Sequence, residues 1–326
     1  MGEYTRIPTR TGDLQPMEAM GKEKMLELDL GGVTRLEGST VQVYTKYGPI
    51  SVTVMGDRKA SPCVTFHDVG LNHQSCFQGL LVCSASRPLL VKNFCFYHID
   101  APGCEDGATN VHPDALPLTV HKLMDQVDAV VEHFDLNEIL GMGVGAGGYI
   151  LAMYAAQHPK KMAGLILVSP PCLRPGWWEW TFGSYAVSKL NVVGMVDSVK
   201  EHLLARLIHS RGQERNLALS LKHGMASLSS QGVSQYLSAI LKRPDLSEDV
   251  QNLKCRTLVL CGEESTYSRD CLHINTIIDH THAAWVEIPE CGILATEEKP
   301  NELLSPITLF LTALQQTGYG FGWDLT

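Results

Sequence analysis

Ile139-Leu140-Gly141-Met142-Gly143-Val144-Gly145-Ala146-Gly147-Gly148 is the stretch that decides how this chain folds. Its opening residues form a short apolar run suited to a buried strand. Tyr149 to Gln157, rich in Ala, reads as a helix that stops before Pro159. A strand passing into a helix through small residues is the setting of the G-x-S-x-G turn, which holds out a nucleophile on a strained backbone. Gly143 and Gly147 occupy the outer positions, and Gly145 stands where the serine would be. With no side chain, Gly145 can form no acyl intermediate, and a neighbouring base would have nothing to activate. A dinucleotide loop is the other reading of these glycines. It fits poorly, because G-x-G-x-G-G departs from G-x-G-x-x-G and follows the fifth strand rather than the first.

Outward from this turn, Val41 to Thr45 and Ile50 to Gly56 alternate apolar and polar around Gly48-Pro49, which predicts a β-hairpin. Short apolar runs then alternate with helical stretches: Cys63 to Phe66, Val91 to Tyr97, Ile139 to Met142, Ala163 to Val168, Thr257 to Cys261 and Ala284 to Ile288. Strands covered on both faces and separated by helices predict an α/β protein with a doubly wound, mostly parallel, eight-stranded sheet. Combined with the turn at Gly145, this is the α/β-hydrolase fold. The alternation lapses over residues 171–253, which hold Trp177, Trp178 and Trp180 and helical stretches at Val199 to Ile208 and Val233 to Leu241. We expect a helical cap over the carboxyl edge of the sheet, where such sheets bind ligands. The tryptophans are expected to pack that cap against the sheet. Residues 39–170 and 254–316 then form the core, 1–38 a mobile leader and 317–326 a flexible tail.

In a hydrolase of this fold the acid and the histidine follow in chain order. The acid position falls at Ser265, with Glu263, Glu264 and Asp270 as alternatives, and the histidine position falls at Ile293. No histidine occurs after His282. All three triad positions, Gly145, Ser265 and Ile293, thus read as vacated. The loop His67-Asp68-Val69-Gly70-Leu71-Asn72 follows the third strand, where hydrolases place oxyanion-hole residues. With Val144 and Ala146 it would frame a vestigial pocket. His67 and Asp68 acting as a catalytic pair is the competing reading, and polar residues stabilising a tight turn is the plainer one.

The formal net charge of -9 argues against a grip on nucleic acid or anionic lipid. The ten cysteines are scattered, several within apolar runs, as Cys63, Cys95, Cys255 and Cys261 are. They read as buried thiols in a reducing compartment rather than a disulfide framework. No Cys/His spacing suggests zinc, and His280-Thr281-His282 stands alone. No metal or cofactor is expected. No apolar stretch approaches the roughly 18 residues of a membrane span, and Arg6 breaks the pattern for myristoylation at Gly2. The expected location is the cytoplasm, with a peripheral membrane position reached only through a partner.

His67 to Asn72, the segment His98-Ile99-Asp100-Ala101-Pro102-Gly103 and the turn Gly143 to Gly147 resemble signature stretches of the N-myc downstream-regulated (NDRG) family, over about residues 40 to 315. Within it the chain resembles the plant NDL and pollen-specific SF21-like branch. The resemblance implies a hydrolase fold without hydrolase activity, working in signalling, growth, stress response and differentiation. It further implies association with the βγ dimer of heterotrimeric G proteins and with auxin transport. Animal relatives carry a phosphorylated repeat tail, whereas this chain ends soon after Trp323 without a Ser/Thr-rich stretch. Besides an adaptor, two other functions are open: a small-molecule or lipid binder using the pocket, and an enzyme with a non-standard site.

Overall fold

The structure is a computed structural model and describes residues 38–83, 87–108, 117–209 and 215–316. The expected leader and tail lie outside the described residues, apart from Gly38.

The hairpin β1 (Ser39–Thr45) and β2 (Gly48–Met55) is antiparallel, as the period-two alternation predicts. It leads into β3 (Ser61–Phe66), β4 (Phe94–Asp100), β5 (Ile139–Val144), β6 (Met162–Val168), β7 (Arg256–Gly262) and β8 (Ala283–Ile288). The sheet has the order β1-β2-β4-β3-β5-β6-β7-β8, and every pairing from β4 onward is parallel. The central strands β4, β5 and β6 are buried along their whole length, which explains why they read as unbroken apolar runs. Helices α1 (His73–Val82), α2 (Arg87–Asn93), α3 (Val120–His133), α4 (Ala146–Gln157), α10 (Ser268–Ile277), α11 (Ala295–Glu298) and α12 (Pro300–Gln315) complete the core.

One predicted strand begins too early. Val91 to Asn93 close α2, where the Asn93 side chain donates to the Leu89 carbonyl at 2.8 Å, and the strand starts only at Phe94. A continuous apolar run spans both elements, so period alone could not divide it.

Between β6 and β7 the chain forms α5 (Trp177–Val193), α6 (Asp197–Leu207), α7 (Arg215–Ala226), α8 (Ser230–Ile240) and α9 (Ser247–Gln251), with no strand among the described residues. These helices reach the carboxyl ends of the strands. Ser229 N–H donates to the Gly103 carbonyl beyond β4, and the Tyr236 hydroxyl donates to the His67 carbonyl beyond β3 at 2.9 Å. The tryptophans do not pack this insertion onto the sheet. Trp177 and Trp178 are each 66% exposed and Trp180 is 53% exposed, so these rings face outward from the first turn of α5. The buried face of α5 is made instead of Gly183, Ala186 and Leu190, and α5 packs against α8.

All ten cysteines are free thiols, and Cys63, Cys95, Cys255 and Cys261 are buried as expected. No helix among the described residues is long and apolar enough to cross a membrane.

Candidate functional site

At the end of β5 the backbone turns through Gly145 with φ 52° and ψ -120°, and α4 begins at once, Tyr149 N–H bonding the Gly145 carbonyl. Few residues with a side chain tolerate this conformation. Gly147 is demanded by proximity instead, because a Cβ there would run into the carbonyl oxygen of Phe66. The strand, the sharp turn and the buried helix are therefore present without the nucleophile.

Asp68 takes up the space. A Cβ on Gly145 would lie 2.5 Å from Asp68 Oδ2 and 2.7 Å from Oδ1. In hydrolases of this fold, two N–H groups stabilise the reaction's oxyanion, one from the residue after the nucleophile and one from the loop after the third strand. Here the corresponding groups are the N–H of Ala146 and of Val69, and both donate to Asp68 Oδ1, at 2.9 and 2.8 Å. A fixed carboxylate, wholly buried, thus sits on the donors that would otherwise receive a substrate oxygen.

Arg206 of α6 closes the arrangement. Its Nη2 donates to Asp68 Oδ1 at 2.7 Å and to Oδ2 at 2.8 Å. Burial by itself would lower the pKa of this guanidinium, but the Asp68 carboxylate outweighs burial and holds it above its ordinary value. The Arg206 guanidinium lies 5.6 Å from the centre of the Tyr267 ring, and Arg243 lies 5.5 Å from it. Burial, opposed by Arg206, pushes the Tyr267 hydroxyl up to about 12, so it stays protonated and donates to Glu179 at 3.1 Å.

His67 is no base for this site. Ala101 N–H donates to its Nε2 at 2.9 Å, which places the ring proton on Nδ1, where it donates to the Asp68 main-chain carbonyl at 2.8 Å. Burial lowers its pKa, so the ring is neutral and both nitrogens are spent on holding the loop. Gly70 has φ 80° and lies under Leu203 of α6. Val144 is the last, fully buried residue of β5.

The other two positions are buried as well. Ser265 is buried in the turn after β7, its hydroxyl accepting the Tyr267 N–H at 3.1 Å, and Ile293 is fully buried after β8. Among the described residues no hydrogen bond links either to Asp68. The alternative acids are also engaged elsewhere. Glu263 accepts the Glu290 N–H, Glu264 lies 4.0 Å from His209 on the surface, and Asp270 accepts the N–H groups of Cys172 and Leu173.

Four features escaped the sequence reading. Arg206 lies 138 residues from its partner Asp68 and carries no local signal. Tyr267 and Tyr236 were equally silent. A fourth, the buried pair His73 Nδ1 with Asp100 Oδ2 at 2.7 Å, anchors the start of α1 to the end of β4. It lies partly in the quoted segment His98 to Gly103. His280 and His282 fall between α10 and β8, where His282 Nδ1 lies 3.2 Å from Asp279, and no group of three or more His, Cys, Asp or Glu residues among the described residues is placed to hold a metal.

Sheet order, the turn at Gly145 and the helices inserted before β7 together define an α/β-hydrolase-fold protein. Solved structures agree on the fold: an esterase from Thermogutta terrifontis superposes with a TM-score of 0.70 at 19% identity, covering 85% of this chain and 99% of its own. The enol-lactonase from Burkholderia xenovorans gives 0.71 at 16% identity, covering 83% and 100%. The model of the Ndr family matches residues 40–320, and the chain belongs to that family. Protein NDL1 of Arabidopsis thaliana is 38% identical over 295 residues, 89% of this chain and 84% of its own length. Pollen-specific protein SF21 of Helianthus annuus is 36% identical over 82% of this chain and 78% of its own. Human NDRG2 is 29% identical over 85% and 75%.

Proposed function

We propose that this chain is a non-catalytic signalling adaptor of the cytoplasm, working in growth, differentiation and stress response through the βγ dimer of heterotrimeric G proteins and the regulation of auxin transport. One observation carries the non-catalytic part: the Asp68 carboxylate occupies both the space beside Gly145 and the N–H donors of Val69 and Ala146. In this reading Gly145, Ser265 and Ile293 are vacated triad positions. His67, Asp68, Val69, Gly70, Val144 and Ala146 are the remnant of the pocket, now serving stability. The resemblance to the plant branch supports the choice of partner, and the outward aromatics of α5 offer a surface for it.

Incubating the purified protein with a panel of activated esters tests the first part. The expected result is no turnover above the uncatalysed rate. Turnover that survives surface substitutions and responds to pocket substitutions would overturn it. Titration with purified βγ dimer tests the second part, and saturable binding weakened by replacing Trp177 and Trp180 is the expected result.

A second reading, a small-molecule or lipid binder, is favoured by a cavity of about 450 Å³ lined by residues of α5 and α6 with Leu237, Leu241 and Tyr267. The filled space at Gly145 supports placing any ligand there rather than beside the turn.

A further inference from the structure

The sheet ends at β8, and the outer edge of that strand is open. In the parallel pairing with β7, Thr257 N–H donates to the His282 carbonyl and Glu263 N–H to the Ile288 carbonyl. Backbone groups alternate sides along a strand, so His282, Ala284, Val286 and Ile288 turn theirs toward β7. Ala283, Trp285 and Glu287 therefore turn their N–H and C=O groups away from the sheet, and among the described residues these groups meet no hydrogen-bond partner. Ala284 and Glu287 are exposed and Ala283, Trp285 and Val286 half-buried, so solvent reaches the strand.

Sheets blunt an open edge with lysine, proline or a bulge. Residues 283–288 read Ala-Ala-Trp-Val-Glu-Ile, with one charge, no lysine and no proline, in unbroken register with β7. An edge of this kind is a template for another strand.

The sequence of β8 fits a second copy of itself. Antiparallel pairing about a two-fold axis at Trp285 sets Trp285 opposite the partner's Trp285, Ala283 opposite the partner's Glu287, and Glu287 opposite the partner's Ala283. Every outward residue then faces an outward residue, and each pair can exchange two N–H···O=C bonds, as such pairs do at a Cα separation of about 5.5 Å. Moving the register two residues one way sets Ala283 opposite Pro289, which has no N–H. Moving it the other way sets Glu287 opposite Thr281, whose N–H already bonds Asp279. The register centred on Trp285 also keeps like charges apart, because each Glu287 lies across from an alanine, and it makes the two tryptophans a cross-strand aromatic pair.

We propose that two copies of this chain associate through β8, antiparallel and centred on Trp285, so that one sheet runs through both. A two-fold pairing of this kind closes on itself, which leaves no β8 edge for a third copy. The proposal is independent of the adaptor and ligand-binding readings, neither of which uses β8.

Sedimentation velocity of the full chain over a concentration series tests it. A species of twice the chain's mass should gain population as concentration rises. Glu287→Pro removes one outward N–H and sets a ring in the partner's path, yet breaks no hydrogen bond within the chain, because that N–H points away from β7. This variant should stay folded by circular dichroism and sediment as a monomer. Two changes at Ala283 read the register itself. Ala283→Glu sets like charges opposite each other and should weaken association by about threefold or more, whereas Ala283→Lys should strengthen it by a similar factor. A monomer at every concentration, a folded Glu287→Pro variant that still dimerises, or two Ala283 variants that shift association in the same direction would each overturn the proposal. Should the proline variant unfold, the Ala283 pair decides alone.

Discussion

A single nitrogen of Arg206 bonds both carboxylate oxygens of Asp68, at 2.7 and 2.8 Å, and so ties α6 to the loop after β3. The carboxylate is wholly buried, and the Arg206 side chain is only 16% exposed. Breaking such a pair strands a charge in a desolvated place. Arg206→Met should therefore lower unfolding free energy by about 3–5 kcal/mol in denaturant titrations. Asp68→Leu with Arg206→Met should lose much less than the sum of the single changes, and additive losses would mean that the two residues are not coupled.

Restoring a serine should not restore a hydrolase. Gly145→Ser would place its Cβ against Asp68 and force a side chain into φ 52°. The expected cost is about 1–3 kcal/mol from the backbone alone, with the collision added. The variant should melt lower and remain unlabelled by fluorophosphonate probes. Adding Asp68→Ala should relieve the collision without creating reactivity, because both nitrogens of the adjoining His67 are already engaged, by the Ala101 N–H and the Asp68 main-chain carbonyl.

Glu297 of α11 gives a pH dependence with a definite sign. Burial pushes its carboxyl up to about 8 from an ordinary value of 4.5, outweighing the N–H groups of Gly79 and Gln78 that bond it. Between those two values the folded chain holds this proton and the unfolded chain has released it. Its contribution is therefore full below 4.5 and is lost as pH rises toward 8, at up to about 1.4 kcal/mol per pH unit. His67 and His98, lowered by burial, act in the opposite direction below 6.5, so the comparison must be by difference. Glu297→Gln should be relatively more stable at pH 8 than at pH 5, measured against the parent protein, and parallel curves would refute the assignment.

Tyr236 holds the loop after β3 from above, its hydroxyl donating to the buried His67 carbonyl at 2.9 Å. Tyr236→Phe removes the donor and leaves that carbonyl unpaired, so a loss of about 1–3 kcal/mol is expected by chemical denaturation. Trp177→Gln, by contrast, changes a residue 66% exposed and should shift stability by less than about 0.5 kcal/mol.

Much of the core could be read before any coordinates. β5, the glycine turn and α4 were legible because a buried strand, a sharp turn and a buried helix each leave a local pattern, and the turn needs small residues at fixed offsets. β6 and β7 were within a residue or so of their ends for the same reason. The outward tryptophans of α5 were not legible. Large aromatics are usually buried, and only the packing of Gly183, Ala186 and Leu190 on α8 shows which side of the helix is inside.

The sequence by itself determined that Gly145 can offer no attacking oxygen, because that depends on covalent identity alone. It also determined the alternating strands and helices, whose periods are local. Only the tertiary structure decided what stands in the nucleophile's place. Asp68, Ala146 and Arg206 meet there across separations of 78 and 138 residues, and a hydrogen-bonded charge cluster leaves no periodic trace in a chain.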